Sequence, residues 1–200
     1  MPLATMNALV QKSTLRFFSV AILIEFLLAP LGMLVIWFFH GEELPRFWDQ
    51  NTQDSWFYFG VGLAPCVAFV FFAMSTFGQS WPPIREIFES LKNSLGEELA
   101  ALNSFQIFCL SLSAGVGEEL LFRGAFQPLW GAVGTAIVFG LLHSLSFSYF
   151  AVSTLFGAWL GFLYQQTGNL LVPVSIHFLY DMLALLLFRR RIRESGQTLA

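Results

Sequence analysis

The fold is decided by a stretch near the end of the chain, residues 170–188, which reads LLVPVSIHFLYDMLALLLF. At about 20 residues it is long enough to cross the hydrocarbon core of a bilayer as an α-helix. Immediately after it come four arginines, Arg189, Arg190, Arg191 and Arg193. Because cytoplasmic loops favour Lys and Arg, this end of the chain is expected to lie in the cytoplasm.

The composition of the whole chain has the same apolar character. Of its 200 residues, 56% are hydrophobic and only 12% are charged, and Phe alone contributes 24. Soluble domains carry roughly 25% charged residues, so water cannot be the only solvent of this chain. The length suits a single membrane domain, residues 1–200, and we expect no nucleic-acid partner.

Working outward from the quoted stretch, further apolar segments predict more transmembrane helices. They lie at about residues 17–39, 56–77, 99–127, 130–145 and 147–166. With an even number of spans, both termini are cytoplasmic, and the acidic loop Gly41–Ser55 lies outside. The predicted fold is therefore all-α, a polytopic transmembrane helical bundle of about six spans in the plasma or inner membrane.

Residues 84–99, between the second and third spans, follow a different pattern. Apolar side chains recur at helical spacing, whereas Arg85, Glu86, Glu89 and Lys92 occupy the other face. This pattern predicts an amphipathic helix at the membrane interface, and a cytosolic coupling helix is the alternative.

Polar side chains inside the predicted spans are the candidates for a functional site. They are Glu118, Glu119, Arg123, His143, His177 and Asp181. A charge in the middle of a span costs about 2.5–3.5 kcal/mol on insertion scales, so such residues are functional by default. Some have structural alternatives: Glu119 and Arg123 stand at ion-pair spacing on a helix, and His177 and Asp181 stand at hydrogen-bond spacing.

The depths of these residues in the bilayer can be estimated from the helical rise. Counted from the face where the third span ends near Gln127 and the fourth begins near Trp130, Glu118 lies about 13 Å deep and His143 about 20 Å. By the same rise, His177 lies about 10 Å and Asp181 about 16 Å from the start of the last span. Three separate helices are therefore predicted to deliver polar groups to one slab of the membrane.

Such a set supports hydrolysis by either of two routes. A carboxylate and a neutral imidazole can hold and deprotonate a water, while a second imidazole donates to the oxyanion of an attacked carbonyl. Alternatively, Glu118, His143, His177 and Asp181 could ligate Zn²⁺ with an open position for water. The buried location suggests a membrane-embedded or membrane-anchored peptide substrate.

Three ordered motifs make the chain resemble a known family. Glu118-Glu119-Leu-Leu-Phe-Arg123, Phe139-Gly-Leu-Leu-His143 and His177-Phe-Leu-Tyr-Asp181 match EExxxR, FxxxH and HxxxD/N. In this order they resemble the CAAX-protease and bacteriocin-processing (CPBP or ABI) family of intramembrane endopeptidases. The resemblance covers about residues 106–187 and places a catalytic core at about 99–188.

The resemblance implies a role for each motif residue. Glu118 and His143 would activate water, and His177 and Asp181 would assist at the carbonyl oxygen, with Glu119 and Arg123 in support. Many relatives carry Asn where this chain has Asp181. An ionised Asp cannot donate to an oxyanion, so Asp181 could instead orient His177 and fix its tautomer. We favour the glutamate mechanism without a metal, with Zn²⁺ as the alternative.

Two other classes of function compete with the endopeptidase. The same buried groups could form a proton relay in a transporter, or the fold could serve as a catalytically idle immunity or scaffold protein. The expected partners are the lipid bilayer and a peptide or protein substrate. Glu25, inside the first span, and His40, at its end, receive no role from the sequence.

Overall fold

The computed structural model describes the backbone of residues 3–40 and 52–197, and the side chains of residues 12–39, 54–76 and 78–195. Within these ranges the chain forms helices and short connections, and no strand. The helices are α1 (Leu3–His40), α2 (Thr52–Met74), α3 (Thr76–Ser80), α4 (Pro82–Ala101), α5 (Ser104–Glu119), a π-helical segment (Leu120–Phe126), α6 (Gln127–Leu142), α7 (Phe147–Thr167) and α8 (Leu171–Gln197). The predicted all-α class is confirmed. Most of the predicted acidic loop, and the side chain of His40, lie outside the described residues.

Five described helical stretches are long and apolar enough to cross a membrane. They are Lys12–Phe39, Asp54–Met74, Ser104–Leu142, Phe147–Thr167 and Leu171–Ser195. Four of them correspond to single predicted spans. The third contains both the predicted third and fourth spans, which the hydropathy pattern separates near residue 128.

The chain folds back on itself inside this long stretch. Gly131 has φ 70° and ψ 169°, a conformation that interrupts the helix. A straight helix would hold residues 118 and 143 about 37 Å apart, but the Glu118 carboxylate lies 3.7 Å from the His143 ring. The two predicted spans are therefore antiparallel legs joined at Gly131. The second leg, residues 132–142, is only about 16 Å long and so ends at His143 in the depth of the bundle.

The π-helical segment Leu120–Phe126 directs two polar side chains toward α7. Its wider turn is seen in the bond from the Gln127 N–H to the Phe122 carbonyl, five residues back. Arg123 Nη2 donates to the carbonyl of Gly157 and Gln127 Nε2 to that of Gly161, each at 2.9 Å. π-Helical segments are rare and frequently lie at functional sites.

The two glycines that accept these bonds allow α7 to pack closely. A Cβ added to Gly161 would lie 2.8 Å from Gln127 Oε1, and one added to Gly157 would lie 3.2 Å from the Phe139 ring. The GxxxG spacing noted in many membrane helices thus has a structural reason here. It lets the glutamine and the arginine reach backbone carbonyls in the bundle interior.

Helix α4 is amphipathic, as its sequence predicts. Ile84, Phe88 and Leu99 are buried, and the Phe88 ring lies 5.1 Å from that of Phe188 on α8. The residues of its charged face, Arg85, Glu86, Glu89 and Lys92, are exposed. An interfacial position for α4 stays a prediction.

The arginines after the last apolar run cap the ends of two other helices. Arg191 Nη1 donates to the carbonyl of Met74 at the end of α2, at 2.9 Å. Arg189 and Arg193 donate to the carbonyls of Leu102 and Ala100, at 3.0 and 2.8 Å. Cations at helix C-termini satisfy carbonyls that have no partner inside the helix. These arginines therefore tie α2, α4 and α8 together at one end of the bundle.

Candidate active site

Four side chains from three helical regions meet inside the bundle. Glu118 comes from the end of α5, His143 from the end of α6, and His177 and Asp181 from adjacent turns of α8. Nε2 of His143 lies 3.7 Å from Glu118 Oε1, and Nε2 of His177 lies 3.9 Å from Glu118 Oε2. Asp181 Oδ2 lies 3.5 Å from the same nitrogen of His177. The predicted site residues therefore lie within reach of a single small molecule.

Glu118 is the central group of this arrangement. It is only 6% exposed, and its two oxygens face different imidazole rings. Oε2 is buried and has no hydrogen-bond partner among the described residues. Since buried polar atoms are nearly always hydrogen-bonded, this oxygen is suited to a water or a polar substrate group.

His143 is held so that its Nε2 faces Glu118. Its Nδ1 lies 2.9 Å from the carbonyl oxygen of Phe139, one turn earlier on α6, and the two rings stack with centroids 4.4 Å apart. When Nδ1 donates to this carbonyl, the neutral ring keeps its lone pair on Nε2. A water between Nε2 and Glu118 Oε1 could then bond to both.

Glu119 connects two other motif residues through one oxygen. Its Oε1 accepts a bond from Arg123 Nη1 at 2.8 Å, which is the ion pair that the sequence spacing predicts. The same oxygen lies 2.7 Å from Nδ1 of His177. The contact that orients His177 therefore comes from Glu119, whereas Asp181, the residue expected to orient it, faces Nε2. Helix spacing alone could not reveal this bond, because it joins different helices.

Aromatic rings surround the two imidazoles, and two of them, Phe156 and Tyr149, lie outside the sequence motifs. Phe156 packs edge-on to His177 with centroids 5.4 Å apart, and Tyr149 packs edge-on to His143 at 6.4 Å. Phe139 also lies beneath the Arg123 guanidinium, 5.0 Å from its centre. These contacts restrict the rings to few orientations and keep the region around the carboxylates apolar.

The spacing of the donor atoms bears on the metal route. Among the described residues, no group of three or more His, Cys, Asp or Glu side chains is spaced to hold a metal ion. The nitrogen and oxygen atoms of the candidate site are 3.5–3.9 Å apart. The choice between the glutamate route and the metal route stays a proposal.

Glu25 joins this region although the motifs do not include it. It lies on α1, and its charge interacts electrostatically with Glu118, His177, Asp181 and His143. A charged residue inside the first span is the signal that the sequence offers, but the sequence does not show which helix it faces. Its backbone carbonyl lies against Gly117, the residue before Glu118, so the structure places it beside the candidate site.

The fold and this arrangement together define a helical membrane protein with paired glutamates and histidines in its interior. Comparison with known proteins agrees with that class. Residues 100–183 match the model of the Rce1-like family, described as type II CAAX prenyl endopeptidase Rce1-like. The resemblance to CAAX-type membrane proteases is thereby confirmed over this segment, which contains all three motifs.

One curated relative is similar over a longer part of the chain. The uncharacterized protein YpbD of Bacillus subtilis (strain 168) is 28% identical over 165 residues, which are 80% of this chain and 82% of the relative. No solved structure is significantly similar to the chain. At the level of the family, the comparisons support a membrane protease of the CAAX type.

Proposed function

We propose that the chain is an intramembrane endopeptidase that hydrolyses a peptide bond of a membrane-associated substrate with a water activated by Glu118 and His143. The observation that carries the proposal is the position of Glu118. Its buried carboxylate lies 3.7 Å from His143 Nε2, and its second oxygen has no hydrogen-bond partner among the described residues. Both groups can accept a proton from one water.

The reaction would proceed by addition and elimination. The water oxygen attacks the carbonyl carbon of the peptide, and its proton passes to Glu118 or to His143 Nε2. A tetrahedral intermediate with a negatively charged oxygen results. When the carbon–nitrogen bond breaks, the same proton moves to the departing amine, so that a carboxylic acid and an amine are the products.

His177 is placed to stabilise the oxyanion. Because Nδ1 is engaged with Glu119, its Nε2 can donate a hydrogen bond only when the ring carries both protons. Glu119 on one side and Glu118 and Asp181 on the other favour that charged form. Asp181 would act mainly through His177, since an ionised carboxylate repels the oxyanion.

The test uses purified protein in proteoliposomes with membrane-anchored, internally quenched peptides. We expect cleavage by the wild type and by Glu89→Gln, a matched change on the exposed face of α4. Glu118→Gln and His143→Ala should each lower the rate by about 10²–10⁴-fold, the usual contribution of a general base. Full activity in either variant would refute the assignment.

Metal dependence is decided with the same assay. The glutamate route predicts that dialysis against a strong chelator leaves the rate unchanged and that activity does not follow bound Zn²⁺. Loss of activity on chelation, with recovery on stoichiometric Zn²⁺, would favour the metal route.

Flux of protons or solutes that requires Glu118, without proteolysis of any peptide, would instead favour a transporter.

A further inference from the structure

The inward face of α1 carries one acidic residue at the depth of the candidate site. The less exposed positions of this helix recur at helical spacing and include Phe18, Glu25, Leu28, Gly32 and Ile36. Leu28 packs against a buried cluster formed by Leu121, Phe122 and Phe139. Glu25 thus belongs to the face that contacts the catalytic half of the bundle, not to the lipid-facing side.

Close backbone packing fixes the depth of Glu25. A Cβ on Gly117 would collide with the carbonyl of Glu25, so α1 and α5 approach each other closely at this point. Gly117 directly precedes Glu118 in the chain. The backbone of Glu25 therefore lies beside Gly117, next in sequence to the candidate catalytic Glu118.

The carboxylate of Glu25 is held without a counter-charge of its own. Its Oε2 is buried and has no hydrogen-bond partner among the described residues. The charged groups with which it interacts are Glu118, Asp181, His143 and His177, two of them acidic. The cation of this region, Arg123, is already bound to Glu119 and Gly157.

The local charge is consequently out of balance. Glu25, Glu118, Glu119 and Asp181 supply carboxylates, and Arg123 and a protonated His177 can offset only part of them. Glu118 is 6% exposed and also has an unpartnered oxygen, which the proposed mechanism assigns to the water or the substrate. Unpaired charge is costly where the surroundings are apolar, so such carboxylates either hold a proton or bind a positive group.

We propose that Glu25 is a specificity-determining residue that receives a cationic group of the substrate, an ammonium or a guanidinium, close to the scissile bond. This rests on the proposed endopeptidase function. The cation would pair with Glu25, while the peptide carbonyl lies between Glu118 and His177. A neutral side chain of the substrate at that position would leave the carboxylate unpaired, so peptides with a basic residue there bind more tightly.

The first test measures binding and needs no proteolysis. Two proteins are compared: the Glu118→Gln variant, in which cleavage is expected to be greatly slowed, and the same variant with Glu25→Gln added. The probes are lipid-anchored fluorescent peptides with Lys or norleucine at each position along the sequence, made with free and with acetylated N-termini. With Glu25 present, we expect Lys at one position to bind at least about tenfold tighter than norleucine, the equivalent of ~1.4 kcal/mol. In the Glu25→Gln variant this ratio falls to about one.

The two N-terminal forms separate the two sources of the cation. A preference that survives acetylation assigns it to a side chain, and one that disappears assigns it to the peptide amine. Glu25→Lys should reverse the preference in favour of Glu-containing peptides, and Glu89→Gln should leave it unchanged. Thermal unfolding of each variant in detergent confirms that the comparison is made between folded proteins.

The inference is overturned if the Lys-to-norleucine ratio is the same before and after the Glu25→Gln change, or if no position shows a preference. An equal loss of affinity for every peptide would likewise assign Glu25 to folding of the site and not to specificity. If the wild type cleaves no peptide but the Lys preference depends on Glu25, the proposed function fails and the binding site stands. If the wild type cleaves peptides without that preference, the proposed function stands and the role of Glu25 fails.

Discussion

At the scale of single residues, the bridging position of Glu119 gives the sharpest expectation. Its Oε1 serves both Arg123 and His177, at 2.8 and 2.7 Å. Glu119→Gln should lower kcat by about 10–100-fold, as changes behind a functional histidine commonly do. It should also lower the melting temperature, because Arg123 loses its counter-charge and an unpaired buried charge costs roughly 3–5 kcal/mol.

The control for Glu119 is Glu89→Gln, which removes the same charge from an exposed helix face. The rate is measured over a range of pH together with thermal unfolding in detergent. A variant with normal stability and an unchanged pH profile would show that Glu119 neither holds Arg123 nor orients His177.

Asp181 gives a second expectation at this scale. It faces Nε2 of His177 at 3.5 Å, whereas the bond of His177 to Glu119 is made by the other ring nitrogen, Nδ1. Asp181→Asn should therefore retain cleavage within about tenfold of wild type, since an amide can donate to the oxyanion. Steady-state kinetics of Asp181→Asn, compared with those of Asp181→Ala, measure the retained activity. Inactivation of Asp181→Asn as complete as that of Glu118→Gln would mean that the negative charge itself is required.

The site illustrates how far sequence can lead at residue scale. The polar residues and their shared depth follow from the cost of charge in a membrane, and the Glu119–Arg123 pair follows from helical spacing. The bond from His177 to Glu119 and the approach of Glu25 could not be predicted. Both depend on the rotation of one helix about its axis relative to another, which a single helix's pattern does not contain.

At the scale of elements, the reversal at Gly131 is the feature that brings His143 to Glu118. Its φ of 70° and ψ of 169° lie in a region that is essentially restricted to glycine. A Cβ there would meet nothing within 4 Å, so the effect of a substitution is conformational and not steric. Gly131→Ala should cost about 1–3 kcal/mol and reduce cleavage by displacing the His143 leg.

Gly134 provides the matched control for Gly131. It lies on the same helix, where an added Cβ would come no closer than 3.4 Å to the Trp130 side chain. Gly134→Ala should leave the melting temperature and the rate nearly unchanged. Equal effects of the two alanines, measured by thermal unfolding and kinetics, would remove the special role of the reversal.

The ends of the transmembrane spans also differ in how well the sequence predicts them. The apolar runs indicate the second and fifth spans to within three residues at each end, because span length is dictated by the bilayer. The sixth begins within one residue of its predicted start, but its helix continues past Phe188 through the arginines. The bounds of the third and fourth spans are harder to predict. The sequence separates them near residue 128, close to the turn at Gly131. It does not indicate the π-helical segment or the shortness of the second leg, because neither changes the hydropathy.

At the scale of the whole molecule, charge placement makes a prediction about topology. Arg189, Arg191 and Arg193 donate hydrogen bonds to carbonyls at the ends of α2 and α4, so they lie at one end of the bundle. By the preference of Lys and Arg for the cytoplasm, this end and both termini should be cytoplasmic. Reporter fusions at the two termini of the full chain show on which side of the membrane each terminus lies. One terminus on the outer side would require an odd number of crossings, and both on the outer side would invert the orientation.

The proposed mechanism depends on Glu118 and His143 acting together on one water. The decisive quantity is kcat/KM for cleavage of one membrane-anchored peptide by wild type, Glu118→Gln, His143→Ala and the double variant. Residues that act as a unit are strongly non-additive. We predict that each single change lowers kcat/KM by about 10²–10⁴-fold and that the double variant is no slower than the worse single. Losses that multiply in the double variant, or a single variant that retains full activity, would contradict this cooperation.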